Sequence, residues 1–325
     1  MNILVTGGAG FIGAALSHRL LDRGDRVLIV DNLNDYYEVS LKKARLNRLE
    51  AHKGYGFKNA DISNREEMER LFKEYSFDCV VNLAAQAGVR YSIENPAAYI
   101  DANLVGFGNI LEGCRHSKVD HLVYASSSSV YGGNKKIPFS ERDVVDHPVS
   151  LYAATKKSNE LMAYCYAHLY DIACTGLRFF TVYGPWGRPD MAFFKFTKMI
   201  LAGEEIPVFN HGELTRDFTF IDDIVEGVLR VIDSPPSRER QGIAHSLYNI
   251  GNGDRVSLMD YIHTLEQALG VPAKYNMLPM QPGDVEQTNA DITALSEQFD
   301  FRPNTSISDG LKAFVRWYRE YYNVE

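Results

Sequence analysis

The chain has 325 residues, 45% hydrophobic and 23% charged, the balance of an ordinary folded protein rather than a disordered or collagenous one. With 34 Lys and Arg against 42 Asp and Glu, the net charge is −8, which argues against nucleic-acid or anionic-membrane binding. Cys79, Cys114, Cys165 and Cys174 are widely spaced, with no paired CxxC, and read as buried thiols of a reducing, cytoplasmic compartment.

The opening run MNILVTGGAGFIGAALSHRLL is apolar but lacks a basic leading segment, and His18 and Arg19 interrupt it. It reads as neither a signal peptide nor a membrane span, and no other stretch approaches roughly 20 apolar residues. Short β-branched runs at Ile3–Thr6, Val27–Val30, Cys79–Leu83, Leu122–Ser126 and Cys174–Phe179 alternate with helical patterns. That is the sequence form of an α/β fold, a parallel sheet covered on both faces. Ser63 and Asn64 before Glu66 and Glu67 predict a capped helix to about Lys73. After Phe180 the rhythm breaks at Gly184, Pro185, Gly187 and Pro189, marking a different lobe of the roughly two domains the length suits. Asp222 and Asp223 read as helix N-terminal charges, and Arg238–Ala244 as a surface loop.

Thr6-Gly7-Gly8-Ala9-Gly10-Phe11-Ile12-Gly13 follows the first strand and opens the first helix. Glycines there permit a tight turn and let a pyrophosphate approach the amides of the helix N-terminus. Asp31 ends the second strand, where a carboxylate accepts hydrogen bonds from an adenosine ribose and repels a 2′-phosphate, favouring NAD over NADP. Asp61 and Ile62 either flank the adenine or form a plain loop.

Tyr152 and Lys156 stand four residues apart, on one face of a helix, where an ammonium favours phenolate. With 19 Tyr in the chain, about one such pair is expected by chance. A second match, Tyr131 and Lys135, spans Gly132-Gly133 and is not expected to be helical. Position favours Tyr152: its helix follows the cluster Ser126–Ser129 at a strand's carboxyl end, where open α/β sheets bind ligands. The nine histidines are scattered without ligand spacing, so no metal is expected.

TGGAGFIG, Asp31, NLAAQAG (Asn82–Gly88), SSSSVYG (Ser126–Gly132), YAATK and LRFFTVYGP (Leu177–Pro185) together resemble the extended short-chain dehydrogenase/reductase family over nearly the whole chain. DNLNDYYEVSLKKARL (Asp31–Leu46), QAGVRYS (Gln86–Ser92), FFTVYGPWGRPDMA (Phe179–Ala192) and MQPGDV (Met280–Val285) narrow the similarity to nucleotide-sugar 4-epimerases acting on UDP-glucuronate. The resemblance implies a Rossmann-type doubly wound sheet over 1–180 and a smaller substrate-binding α/β lobe over 181–325. Segments around 218–250 are candidates to return to the first domain.

For the site, the resemblance implies Tyr152 as the base on the sugar 4-OH, Lys156 on the nicotinamide ribose, and Ser127 as the partner hydroxyl. Gly7, Gly10, Phe11, Ile12 and Gly13 would cradle the NAD pyrophosphate, with Asp31 on ribose, Asp61-Ile62 at adenine, and Asn32 also in the cofactor site. Leu83, Ala84, Ala85 and Phe179 would complete the cofactor site. Ser128, Thr181, Arg188, Lys195, Arg216, Gln281 and Asp284 fall in UDP-sugar segments; Gln281 stands where galactose-type relatives carry an arginine. Arg90 either faces the active site or pairs with Glu94, and Arg216 either binds ligand or pairs with a neighbouring acid.

The expected reaction is therefore NAD-dependent 4-epimerisation of UDP-glucuronate to UDP-galacturonate through a 4-keto sugar. Decarboxylating and dehydrating relatives place an acid where this chain has Ser129, which disfavours those alternatives. An epimerase of a neutral UDP-hexose and a non-catalytic NAD-binding protein are the remaining readings, the latter opposed by the intact Tyr152, Lys156 and Ser127. A homodimer is expected by analogy, through the helix after Pro96 and the one carrying Tyr152.

Overall fold

The computed structural model describes residues 1–237, 242–281 and 284–324. Residues 238–241 of the expected surface loop, and Gly283 of the MQPGDV string, lie outside the described residues.

Six strands, β1 (Asn2–Thr6), β2 (Arg26–Asp31), β3 (Tyr55–Asn59), β4 (Cys79–Asn82), β5 (His121–Ser127) and β6 (Ala173–Phe179), share a sheet with the strand His245–Ile250. All neighbouring strands run parallel. In space the order is His245–Ile250, β6, β5, β4, β1, β2, β3. It reverses between β1 and β4, where Thr6 and Asn82 are register partners. A crevice opens at the carboxyl ends of strands that part in this way. The five named candidate strands are present, with ends shifted by a residue. β3 was not among them: its sequence YGFKN lacks β-branched residues, and it holds the sheet edge by pairing with β2.

Alternation along the buried strands covers both faces. Ile3 and Val5 of β1 pack with Leu16 and Leu20 of α1 (Phe11–Asp22) and with Ile224 and Val228 of the helix Ile221–Ile232. Leu4 points to the other face, which holds Met68, Leu71, Ile110 and Leu111. After α2 (Val39–Asn47) and β3, α3 (Arg65–Glu74) begins as the capping signal predicts: the Asn64 side chain accepts from the Glu67 amide at 3.2 Å. Asp222 and Asp223 lie in the first turn of their helix.

Beyond β6 the chain forms three two-stranded ladders: Thr181–Tyr183 with Phe218–Phe220, Thr215–Arg216 with Val256–Ser257, and Glu205–Val208 with Lys274–Met277. An aromatic cluster of Trp186, Phe193 and Phe194 packs on Phe314 and Trp317 of the helix Ile307–Tyr322. Arg45 of α2 is wholly buried and ties this part to the glycine-rich turn. Its guanidinium donates to Ala9 O at 3.0 Å, Trp186 O at 2.7 Å and Gly187 O at 3.0 Å.

All four cysteines are free. Three are buried, but Cys165 is exposed, which corrects the expectation of four buried thiols: it falls on the outward face of the helix Leu151–Tyr170. Among the described residues no helix is long and apolar enough to cross a membrane.

Candidate active site

A cavity of about 270 Å³ lies at the carboxyl ends of the strands. One wall is the turn after β1. Gly7 has φ +69°, and a Cβ there would stand 2.7 Å from the Ala84 nitrogen, so the turn closes against the end of β4 only without a side chain. A Cβ on Gly13 would lie 2.3 Å from Gly7 O. Gly10 caps α1 without a side-chain acceptor. Phe11, Ile12 and Gly13 are therefore a helix first turn that lines the cavity and whose N–H groups have no intrahelical carbonyl to meet. That is a donor set for an anion.

Asp31 ends β2, buried, its Oδ2 accepting from the Ala9 amide at 3.1 Å and its Oδ1 from the Leu33 amide at 2.9 Å. A carboxylate has lone pairs beyond these two bonds for ribose hydroxyls. Asn32 donates to Asp61 Oδ2 at 2.8 Å, and Asp61 Oδ1 takes the Ser63 amide at 2.8 Å. Burial works against the Asp61 charge, but the Ser63 and Asn32 hydrogen bonds leave it below the usual carboxylate range. Ile62, Leu83, Ala84, Ala85 and Phe179 line the same cavity. An anion-binding helix start, a brace of carboxylate on the next strand and an apolar floor fit the two halves of a dinucleotide.

Tyr152 and Lys156 project into the cavity from the helix Leu151–Tyr170, which opens on a Ser150 hydroxyl accepting from the Ala153 amide at 3.1 Å. Ser127, the last residue of β5, joins them. Burial pushes the Tyr152 phenol up, opposed by a hydrogen bond from Ser127 and by the charge of Arg188. Lys156 is buried against the end of β5. Its Nζ donates to Ala125 O at 2.8 Å, and burial pushes the ammonium down to about 8. Arg188, in the loop after the strand Thr181–Tyr183, brings a guanidinium whose charge lowers the phenol.

Behind this group lies a buried ion pair. Arg178 of β6 grips Glu160 of the helix Leu151–Tyr170 through Nε at 2.8 Å and Nη2 at 2.9 Å, and Ser126 donates to Glu160 at 2.6 Å. Arg178 also donates to the Tyr131 hydroxyl at 3.1 Å, which donates to Asn249 at 2.6 Å. Tyr131 is thus a buried strut; Ser128–Tyr131 is a 3-10 turn, and Gly132 has φ +55°. On the other side, Asn103 of a π-helical stretch (Ile100–Gly106) donates to Gln86 O and to Thr155, both at 3.0 Å.

Of the residues named for the sugar, Ser127, Tyr152 and Arg188 line the cavity. Arg188 is held by the Asp190 carboxylate two residues on. Ser128 begins the 3-10 turn, Thr181 sits in its short strand, and Lys195 is exposed on the helix Ala192–Leu201. Arg90 is exposed, with its guanidinium over the Phe209 ring at 5.4 Å. Arg216 pairs with Asp284 at 2.7 Å, and among the described residues the buried Gln281 Oε1 has no hydrogen-bond partner. Sequence reasoning missed Asn34, Tyr36, Tyr37 and Lys42, which line the cavity. They lie inside the DNLNDYYEVSLKKARL string, a signal that singled out the segment without assigning roles. Tyr36 reaches Asp190 at 3.5 Å, and burial pushes it up to about 12.

The sequence matches the family model described as the NAD dependent epimerase/dehydratase family over residues 3–251. Protein CapI of Staphylococcus aureus is 52% identical, with 99% of each chain covered. UDP-glucuronate 4-epimerase 4 of Arabidopsis thaliana is 49% identical over 99% of this chain and 76% of its own. The crystal structure of UDP-glucuronic acid 4-epimerase from Bacillus cereus, in complex with UDP-glucuronic acid and NAD, is similar at a TM-score of 0.91. It is 35% identical and covers 99% of this chain and 100% of that one.

Proposed function

The chain belongs to the NAD dependent epimerase/dehydratase family, and we propose that it is an NAD-dependent isomerase interconverting UDP-glucuronate and UDP-galacturonate. The observation that carries this reading is one cavity lined both by the glycine turn with Asp31 and by Tyr152, Ser127 and Lys156.

When bound, NAD supplies an acceptor for the C4 hydride and the means of returning it to the other face of the ketone. Tyr152 takes the proton of the sugar 4-OH, its phenolate favoured by the Ser127 hydroxyl and the Arg188 charge. Lys156, fixed by Ala125 O, would hold the nicotinamide ribose. Phe11, Ile12 and Gly13, with the turn from Gly7 to Gly10, would offer amides to the pyrophosphate, and Asp31 would disfavour a 2′-phosphate. Arg216 would meet the UDP diphosphate by exchanging its Asp284 partner.

The 4-keto form of a uronate is a β-keto acid that loses CO₂ when its carboxylate bond stands perpendicular to the carbonyl. Ser128 and Thr181 supply neutral hydroxyls to hold the carboxylate out of that alignment. Ser129 offers no carboxylate for elimination. The test is incubation with ¹⁴C-carboxylate UDP-glucuronate and NAD, followed by anion-exchange separation. UDP-galacturonate that retains the label is expected; substantial UDP-pentose with released CO₂ overturns the assignment in favour of a decarboxylase. Thr181→Ala and Ser128→Ala raise the pentose fraction, and an unchanged partition removes these residues as carboxylate holders.

The assembly we propose is a homodimer. Ile100 and Val105, after Pro96, and Leu161, Tyr164 and Leu169 on the catalytic helix are exposed apolar side chains that a second copy would cover. Light scattering at micromolar concentration should read twice the 36.6 kDa chain mass; a monomer mass overturns it. The free thiols suit a cytoplasmic location.

A further inference from the structure

α1 starts in the cavity at Phe11 and ends at Asp22, roughly 16 Å further along its axis. Near this far end His18 and Asp22 share a face of the helix. The turn after α2 brings His52 to the same place. His18 Nδ1 lies 2.9 Å from Asp22 Oδ2, and His52 Nε2 lies 3.0 Å from Asp22 Oδ1. The two imidazoles meet edge to face at 5.2 Å. One ligating atom from each of the three residues lies within 4.8 Å of the others, and a tetrahedral zinc site with bonds near 2.0 Å needs about 3.3 Å. A small side-chain adjustment closes that difference.

The hydrogen bonding around His52 adds an independent constraint. Its Nδ1 is 3.1 Å from Leu49 O, so both ring nitrogens face acceptors. A neutral imidazole has a single N–H. With that N–H donated to the Leu49 carbonyl, Nε2 faces the Asp22 carboxylate, a contact that either a second ring proton or a bound cation satisfies. A backbone carbonyl on the second nitrogen is also how metal-binding histidines are oriented. Both histidines are partly buried and Asp22 is exposed, so an ion can enter from solvent and keep a water as fourth ligand.

We infer that His18, Asp22 and His52 form a binding site for a first-row divalent cation of the zinc class. Two imidazoles and one carboxylate suit zinc better than the all-oxygen shells of calcium or magnesium. The ion sits at the opposite end of α1 from the cavity. It pins the end of that helix to the turn leading into β3 and takes no part in the chemistry. The spacing of the histidines in sequence hid the site, because His18 and His52 meet only when α1 and the turn after α2 pack together.

Zinc ion alone, titrated into untagged, chelator-treated full-length protein, tests the proposal. Calorimetry should find one ion per chain, with a rise in Tm on saturation that magnesium does not reproduce. His52→Gln and Asp22→Asn should each weaken uptake by about tenfold or more. Their metal-free Tm and circular dichroism report whether the fold is intact. Absence of saturable uptake by wild type, or uptake unchanged in both folded variants, overturns the site.

Discussion

Tyr152 is partly buried beside Ser127 and within reach of the Arg188 charge, and burial is the stronger influence, so its phenol is harder to ionise than a free one. Proton abstraction needs the phenolate, so kcat/KM should climb with pH along its acid limb. Arg188→Gln removes a group that lowers the phenol and frees the Asp190 carboxylate beside it. Both changes disfavour phenolate, so the limb should move to higher pH; a pH–rate profile superposing on wild type would remove Arg188 from this role. Tyr152→Phe keeps the ring but loses the proton acceptor, and turnover should fall on the order of 10²–10⁴-fold with UDP-sugar binding retained. Near-normal activity would transfer the base to another residue, Ser127 first. Asp31→Ala removes charged hydrogen-bond acceptors and should weaken NAD binding about 10- to 100-fold by calorimetry. Wild type that prefers NADP would contradict this account of β2.

At the scale of elements, the site depends on how the helix Leu151–Tyr170 is held against the sheet. Glu160 lies one turn beyond Lys156, and its bidentate pair with Arg178 locks that helix to β6, next to Ser126 and Ser127 at the end of β5. Both partners are buried, and a hydrophobic pair of similar size could be equally stable. Removing one partner is different, because it strands a charge. Arg178→Met should therefore cost about 3–5 kcal/mol in urea unfolding, and adding Glu160→Gln should recover part of that loss. A single variant as stable as wild type would show that the pair carries no such strain.

For the whole molecule, one buried and one half-buried histidine make stability depend on acid. His121 at the start of β5 and His245 on the last strand of the sheet are each pushed down to about 4, mainly by burial. An unfolded histidine binds its proton near 6.5. Above that value both states are neutral and the stability is fully present. Between 6.5 and 4 only the unfolded chain takes up protons, so stability falls with pH, by on the order of 3 kcal/mol for His121. The urea midpoint should drop between pH 7.5 and 4.5, and His121→Leu should drop less over that range than wild type. An equal drop in the variant would exclude His121 as a source.

The sequence by itself determined what depends on neighbours along the chain. The glycine turn, the capped start of α3 and the strand-terminal Asp31 are local signals, set by backbone freedom, side-chain capping and residue periodicity over a few positions. Tyr152 and Lys156 were legible for the same reason, since helical spacing alone aligns them. Tertiary structure decided what depends on pairing. β3 and His245–Ile250 are strands because the sheet offers them hydrogen-bonding edges, and YGFKN carries little propensity of its own. It also brought the Arg188 charge to the phenol. Lys156 turned to the Ala125 carbonyl when its helix packed on β5, while Arg188 arrived from a loop 36 positions away. Arg45, holding Ala9 and Trp186 at once, and the meeting of His18 with His52 have the same origin. Contacts between residues far apart in the chain exist only once the core has closed, and no local pattern encodes them.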